Sequence, residues 1–168
     1  MNRANRTDSG ELLSRAEFRR QVLSRSQGRC IFCAQVAIDA HHILERKLFE
    51  DGGYRAGNGA AVCAAHHWLC ETTELSVTEV RLSAGVLIAV LPAGFQLAAT
   101  YDKWGNRIWP TGLRSWGPLA HDTGARRALA AGGFLGVLMP ASYSEQTLPV
   151  LEQSSPGADR LTTFRRTS

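Results

Sequence analysis

The sequence predicts an α+β protein. A strand, a loop, a second strand and a helix gather around a metal ion, flanked by short helices and followed by a small strand-and-helix extension. Three observations predict it. All four cysteines and four of the five histidines of the 168-residue chain lie within residues 30–73. Two Ser-x-x-Glu capping boxes, Ser14 with Glu17 and Ser76 with Glu79, open helices on either side of that cluster. An apolar, β-branched run at residues 86–91, ended by Pro92, reads as a buried strand of the extension.

Taken in order, residues 1–13 read as a flexible basic arm. The first helix runs from the Ser14 box to about Ser26, with Phe18, Val22 and Leu23 on one face and arginines on the others. Gly28 ends it just before a C-x-x-C knuckle, Cys30 and Cys33. Residues 36–43 form a strand, and residues 44–57 a loop with turn signals at Asp51-Gly52-Gly53 and Gly57-Asn58-Gly59. A short second strand at residues 60–62 leads into a helix from Cys63 to about Glu74. The Ser76 box opens another helix, with Gly85 as its stop. Residues 101–110 form a turn inside an aromatic stretch whose main role is packing, with base stacking the other use of such residues. His121-Asp122-Thr123 caps a helix over residues 124–131, and His121 reads as a surface polar residue. From Pro140 the chain is rich in Pro, Ser, Gln and Thr without periodicity and reads as a disordered tail carrying Arg165-Arg166. The expected organisation is therefore an arm (1–13), a metal-centred domain (14–84), a small α/β extension packed on it (85–139) and the tail (140–168).

Spacing sorts the metal ligands. Structural zinc is four-coordinate, and a two-residue gap lets two ligands reach one ion from a tight turn. Cys30, Cys33, Cys63 and His66 meet that rule as three thiolates and one imidazole, with His67 the alternative for the fourth position. Cys70 has no knuckle partner and reads as a buried free thiol. His41 and His42 are adjacent on a strand, so they face opposite ways and do different work. The chain has no export signal, and its histidines are interleaved at ligand spacing. Both favour metal binding over disulfides.

The formal net charge is +4, and the N-terminal 29 residues carry all of it, with seven arginines against three acids. Arginines on that arm and helix, Arg15, Arg19, Arg20 and Arg25, are candidates for phosphate contacts. No run of 18 apolar residues exists and the N-terminus has no apolar core, so neither a membrane span nor a secretory signal is expected and the location reads as cytoplasmic.

The segment resembles the HNH endonucleases, ββα-metal nucleases with a zinc knuckle. The likeness rests on Cys30-Ile31-Phe32-Cys33, Ala40-His41-His42-Ile43, Asn58 and Cys63-Ala64-Ala65-His66-His67, and covers roughly residues 15–80. It departs from the family pattern at His41, where an acid is usual, and at His66, where a cysteine is usual. The resemblance implies His42 as general base, His41 and His67 on one catalytic divalent ion, and Asn58 pinning the loop against the histidine strand. Glu71, one helical turn after His67, is added as a third ligand because two neutral imidazoles alone hold a hard ion poorly. The implied cofactors are a structural Zn²⁺ and a catalytic Mg²⁺ or other divalent transition ion. The implied substrate is nucleic acid, DNA before RNA, cut to 5′-phosphate and 3′-hydroxyl ends. The alternative is a zinc-stabilised nucleic-acid-binding module that does not cut. The stretch from Leu75 to Leu129 is also similar to the segment C-terminal to the HNH unit in some phage-type proteins, some of which continue into an RNA ligase domain. Neither Lys47 nor Lys103 stands in the Lys-x-Asp-Gly motif a ligase needs, so a ligase would be a partner, not an activity of this chain.

Overall fold

The computed structural model describes residues 10–144. The expectations for residues 1–9 and for residues 145–168, including Arg165-Arg166, lie outside the described residues. The described chain is mixed α+β, with four α-helices and two small sheets.

Helix α1 spans Arg15–Arg25 and starts with the expected capping box, Ser14 and Glu17 each satisfying the other's backbone N–H. Strands β1 (Asp39–His42) and β2 (Gly59–Val62) pair antiparallel, with Ala40 opposite Ala61 and His42 opposite Gly59. The pleat therefore sends Ala40, His42 and Ala61 to one face and Asp39, His41, Ala60 and Val62 to the other. On the first face α1 packs Phe18 and Val22 against Ala40 and Ala61. Gly59 makes this approach possible, because a Cβ there would meet Phe18 Cε2 at 2.8 Å and press into Val22. On the second face Ala60 and Val62 join Cys70 of α2 (Ala64–Glu71) and Val80 of α3 (Val77–Ser83).

Beyond α3 the chain forms a four-stranded sheet of two-residue strands, β3 (Thr100–Tyr101), β4 (Arg107–Ile108), β5 (Arg114–Ser115) and β6 (Leu138–Met139). The last pair is parallel and the others antiparallel. Helix α4 (Thr123–Ala131), capped by Asp122, brings Ala125 and Leu129 against Trp104. Trp104 and Trp109 are both buried, so the aromatic stretch is a small core.

Four expectations need correction. The first strand is shorter than residues 36–43. Val36 makes only a bridge to Arg29, and Ile38, whose N–H donates to Val62 O (2.9 Å), is the last residue before the paired ladder begins at Asp39. Helix α2 stops at Glu71, short of Glu74, because Thr72 caps it and Thr73 turns to φ +64°. Residues 10–13 of the expected arm are docked: Leu13 N–H donates to Tyr54 O (2.8 Å) and Arg55 Nε to Gly10 O (2.9 Å). The apolar run at residues 86–91 is not a strand. Gly85, at φ +67°, and Val86 close a Schellman turn, with Val86 N–H donating to Arg81 O (3.1 Å) and Gly85 N–H to Leu82 O (3.0 Å). Val86 is then the apolar residue that clamps back onto Val80, while Leu87 and Ile88 are 88% and 71% exposed.

A buried ion pair inside the extension reaches the turn that follows α2. Asp102 is fully buried and accepts from Trp104 N–H, Asn106 N–H, Asn106 Nδ2 and Arg114 Nη1. Arg114 also donates to Thr73 Oγ1 at 2.6 Å and lies over the Phe134 ring. Arg114→Met leaves Asp102 buried without its cation and should cost about 3–5 kcal/mol in urea unfolding. A loss below about 1 kcal/mol would mean that the pair does not hold the extension in place.

Candidate metal centres and adjoining cleft

The knuckle is built by local hydrogen bonding. Cys30 N–H donates to Gln35 O, and Ala34 N–H to Cys30 O, which closes a tight loop with Ala34 at φ +56°. Ile31 N–H donates to Ala61 O (3.0 Å) and ties the loop to β2. Cys63 is the N-cap of α2, which places His66 on its first turn, stacked on Phe32. Cys33 Sγ lies 3.7 Å from Cys63 Sγ, Cys30 Sγ 3.6 Å from His66 Nδ1, and Cys63 Sγ 3.2 Å from His66 Nδ1. A tetrahedral zinc with Zn–S of about 2.3 Å and Zn–N of about 2.0 Å sets edges of about 3.5–3.8 Å, so these four donors fit one ion. Burial pushes the Cys30 thiol up, but backbone N–H groups from Cys63, Phe32 and Cys33 outweigh it and the net shift is downward, toward the thiolate. The cluster can hold a metal ion such as zinc. Of the two candidates for the fourth position, His66 is the one that faces the sulfurs. Cys70 is apart, buried, its thiol pushed up to about 12 by desolvation.

His67 turns the other way and meets the residues beneath β1. His67 Nε2 is 3.3 Å from Asp39 Oδ2 and 3.8 Å from Glu71 Oε1, and His41 Nδ1 is 3.4 Å from the same Glu71 oxygen. His41, His67 and Glu71 form a second group of three donors converging on one point. His41 is buried, and desolvation, with Lys103 adding to it, holds its pKa well below the ordinary histidine range. The hydrogen bond to Asp39 raises His67, and the same bond lowers Asp39.

His42 points to the opposite face. It stacks on Phe18 (4.5 Å) and meets Tyr54 edge-on, and it lines a cleft of about 270 Å³ with Arg15, Arg19, Arg46 and Asp39. Its Nε2 is buried and has no hydrogen-bond partner within the described residues. Desolvation, reinforced by Lys103, lowers it to about 4. Asn58 is buried and clamps the loop: its Nδ2 donates to Leu44 O (3.0 Å) and Gly53 O (3.2 Å), and its Oδ1 accepts from Leu44 N–H (2.9 Å). It touches neither histidine cluster and acts by holding the backbone just after β1.

The four candidate phosphate-contacting arginines separate. Arg15 and Arg19 line the cleft, and Arg19 also reaches Asp39 (3.4 Å) and Ile38 O. Arg20 is exposed on α1 away from the cleft lining. Arg25 is committed to the fold, donating to Ala56 O and Gly59 O. Three residues at these sites were missed from the sequence: Asp39, Arg46 and Lys103. Asp39 had a signal, being two residues before His41 on one strand and hence on the same face. Arg46 and Lys103 had none, since loop and turn geometry brings them in. Comparison with protein-family models, curated proteins and solved structures returns no match for this chain. No helix among the described residues is long and apolar enough to cross a membrane.

This geometry makes two measurable demands. Cys33 is exposed, so Cys33→Ala removes a ligand with almost no packing cost. The purified protein should hold one zinc, and both Cys33→Ala and a strong chelator should lower its melting temperature by far more than a surface substitution does. A metal ligand set carries roughly 10–16 kcal/mol of apparent binding free energy in small peptides. An unshifted melting point in both would remove the metal from the folding argument.

The second demand concerns His42. Its folded pKa near 4 lies below the unfolded value of about 6.5. Between these values the unfolded chain binds more protons, so stability falls as pH drops from about 6.5 to 4 and levels off below. In His42→Phe, which keeps the stack on Phe18, that slope should be shallower by up to about 1.4 kcal/mol per pH unit. Equal slopes in the two proteins would place His42 in water.

Proposed function

We propose that this chain is a metal-dependent endonuclease of the HNH type that hydrolyses phosphodiester bonds of nucleic acid, DNA in the first instance. One observation carries the reading: β1 presents His41 to the His67–Glu71 donors on one face and His42 to an arginine-lined cleft on the other. Metal-assisted hydrolysis needs donors that hold an ion and a positioned proton acceptor, and the two adjacent histidines offer one of each. The Cys30, Cys33, Cys63 and His66 set is assigned a structural zinc.

His41, His67 and Glu71 have the chemistry to hold a divalent ion, two imidazoles and one carboxylate with spacings of 3.4–3.8 Å. Such an ion, when bound, supplies charge neutralisation on the scissile phosphate and its leaving oxygen. The chain's own residues do the rest. Arg15, Arg19 and Arg46 draw the phosphate diester into the cleft. His42 takes the proton of the attacking water as the new P–O bond forms and the bond to the 3′ oxygen breaks, and the departing oxygen takes a proton from solvent, giving 5′-phosphate and 3′-hydroxyl ends. An imidazole at about 4 is a weak base. A phosphate anion in the same cleft favours the imidazolium and moves that value back toward neutrality. Asn58 keeps the carboxyl end of β1 in place.

A second reading, a zinc-stabilised binding module that does not cut, is favoured by the buried, unpartnered Nε2 of His42 and its stack on Phe18. Supercoiled plasmid with Mg²⁺, Mn²⁺ or Ni²⁺ separates the two. Wild type should nick or linearise it. His42→Ala should lose about 10²–10⁴ in rate with zinc content and affinity retained, and no metal should restore it. His67→Ala should fail in a way that raised Mn²⁺ partly repairs. No cleavage of DNA or RNA with any of these ions, across the pH range of about 6–9 where histidine titrates, would leave the binding module.

A further inference from the structure

Lys103 lies in the turn between β3 and β4, in the extension, yet its ammonium sits beneath β1. Its side chain is 5% exposed. Nζ is 3.1 Å from Glu71 Oε1, 3.2 Å from Glu45 Oε2 and 3.4 Å from His42 O. The backbone locks it there: Glu45 N–H donates to Lys103 O (2.9 Å) and Trp104 Nε1 to Glu71 O (3.0 Å). A buried lysine is stable only when its charge is paired, and here the partners are Glu45 and the Glu71 oxygen that also faces His41 and His67.

That sharing sets the charge an incoming ion meets. Glu45 and Glu71 with Lys103 between them carry one net negative charge, where the two carboxylates alone would carry two. Two imidazoles with a half-compensated carboxylate suit borderline transition ions such as Ni²⁺ and Zn²⁺, whereas Mg²⁺ and Mn²⁺ depend on carboxylate charge. We propose that Lys103 is a positioning and selectivity residue of the His41–His67–Glu71 site, its ammonium on Glu71 restraining the site's affinity for hard divalent ions. This rests on the metal-site reading of the proposed function. It adds that the extension, and not the metal-centred unit alone, decides which ion the site takes.

The test is calorimetric Mn²⁺ binding to full-length, zinc-loaded protein, with Ni²⁺ in parallel. Mn²⁺ is a poor match for the thiolate set, so its binding reports the second site. Lys103→Met should tighten Mn²⁺ by at least about tenfold, since a buried unit charge next to a ligand is worth that much or more, and should tighten Ni²⁺ less. Lys103→Arg should stay within about threefold of wild type, the charge being retained. Glu45→Gln commits Lys103 wholly to Glu71 and should weaken Mn²⁺ by several-fold. It also decides the matter if Lys103→Met loses its zinc and does not fold. Unchanged or weaker Mn²⁺ binding in folded Lys103→Met, or unchanged or tighter binding in Glu45→Gln, overturns the role of Lys103. His67→Ala is the separate control. If wild type binds neither ion, or if His67→Ala binds Mn²⁺ as wild type does, the metal site itself is wrong and the selectivity role falls with it.

Discussion

Two antiparallel strands of four residues cannot stand in water by themselves, and the rest of the described structure answers that constraint. One face is covered by α1 through Phe18 and Val22, the other by α2 and α3 through Cys70 and Val80. The ends are tied by polar devices. Ile31 N–H bonds β2 from the knuckle, and Asn58 bonds the chain on both sides of its own loop. The Cys30, Cys33, Cys63 and His66 donors close the same end at which α2 begins. Each device is small, and the strand pair keeps its register because they agree on it.

Covering both faces also divides the electrostatics. Burial on the α2 side holds the His41 pKa down among Glu71, His67 and Lys103, while the α1 side places His42 against aromatic rings at the edge of a basic cleft. Neighbouring residues of one type thus end up with different chemistry, set by the pleat and by what each face packs against. Lys103 influences both, pairing with Glu71 on one side and bonding the His42 carbonyl on the other. The extension is therefore more than an appendage. Its Asp102–Arg114 pair fixes the turn that delivers Lys103.

Local signals were legible where a few neighbouring residues decide the outcome. Both Ser-x-x-Glu boxes form as their sequences require, because the hydroxyl and carboxylate need only a single helical turn to find each other. The C-x-x-C loop and the Cys63–His66 step converge for the same reason. The clamp role of Asn58 was implied by the HNH resemblance, its place between glycines suggesting only a turn residue. The run at residues 86–91 misled because apolar, β-branched residues describe burial preference and not pairing. Among the described residues no strand pairs with it, and the Schellman turn uses Val86 as a clamp and leaves Leu87 and Ile88 in solvent.

The sequence by itself determined the ligand types, their spacing, the two capping boxes and the opposite facing of His41 and His42, since each depends on contacts within a few residues. Only the tertiary structure decided which histidine closes the four-donor cluster, that Arg25 serves the fold, and that Arg46 lines the cleft with Arg15 and Arg19. It alone brought Lys103 to Glu71, from a separate part of the chain. Spacing along a chain constrains neighbours strongly, but contacts between distant residues depend on how every intervening loop turns, and no residue pattern at either end records that.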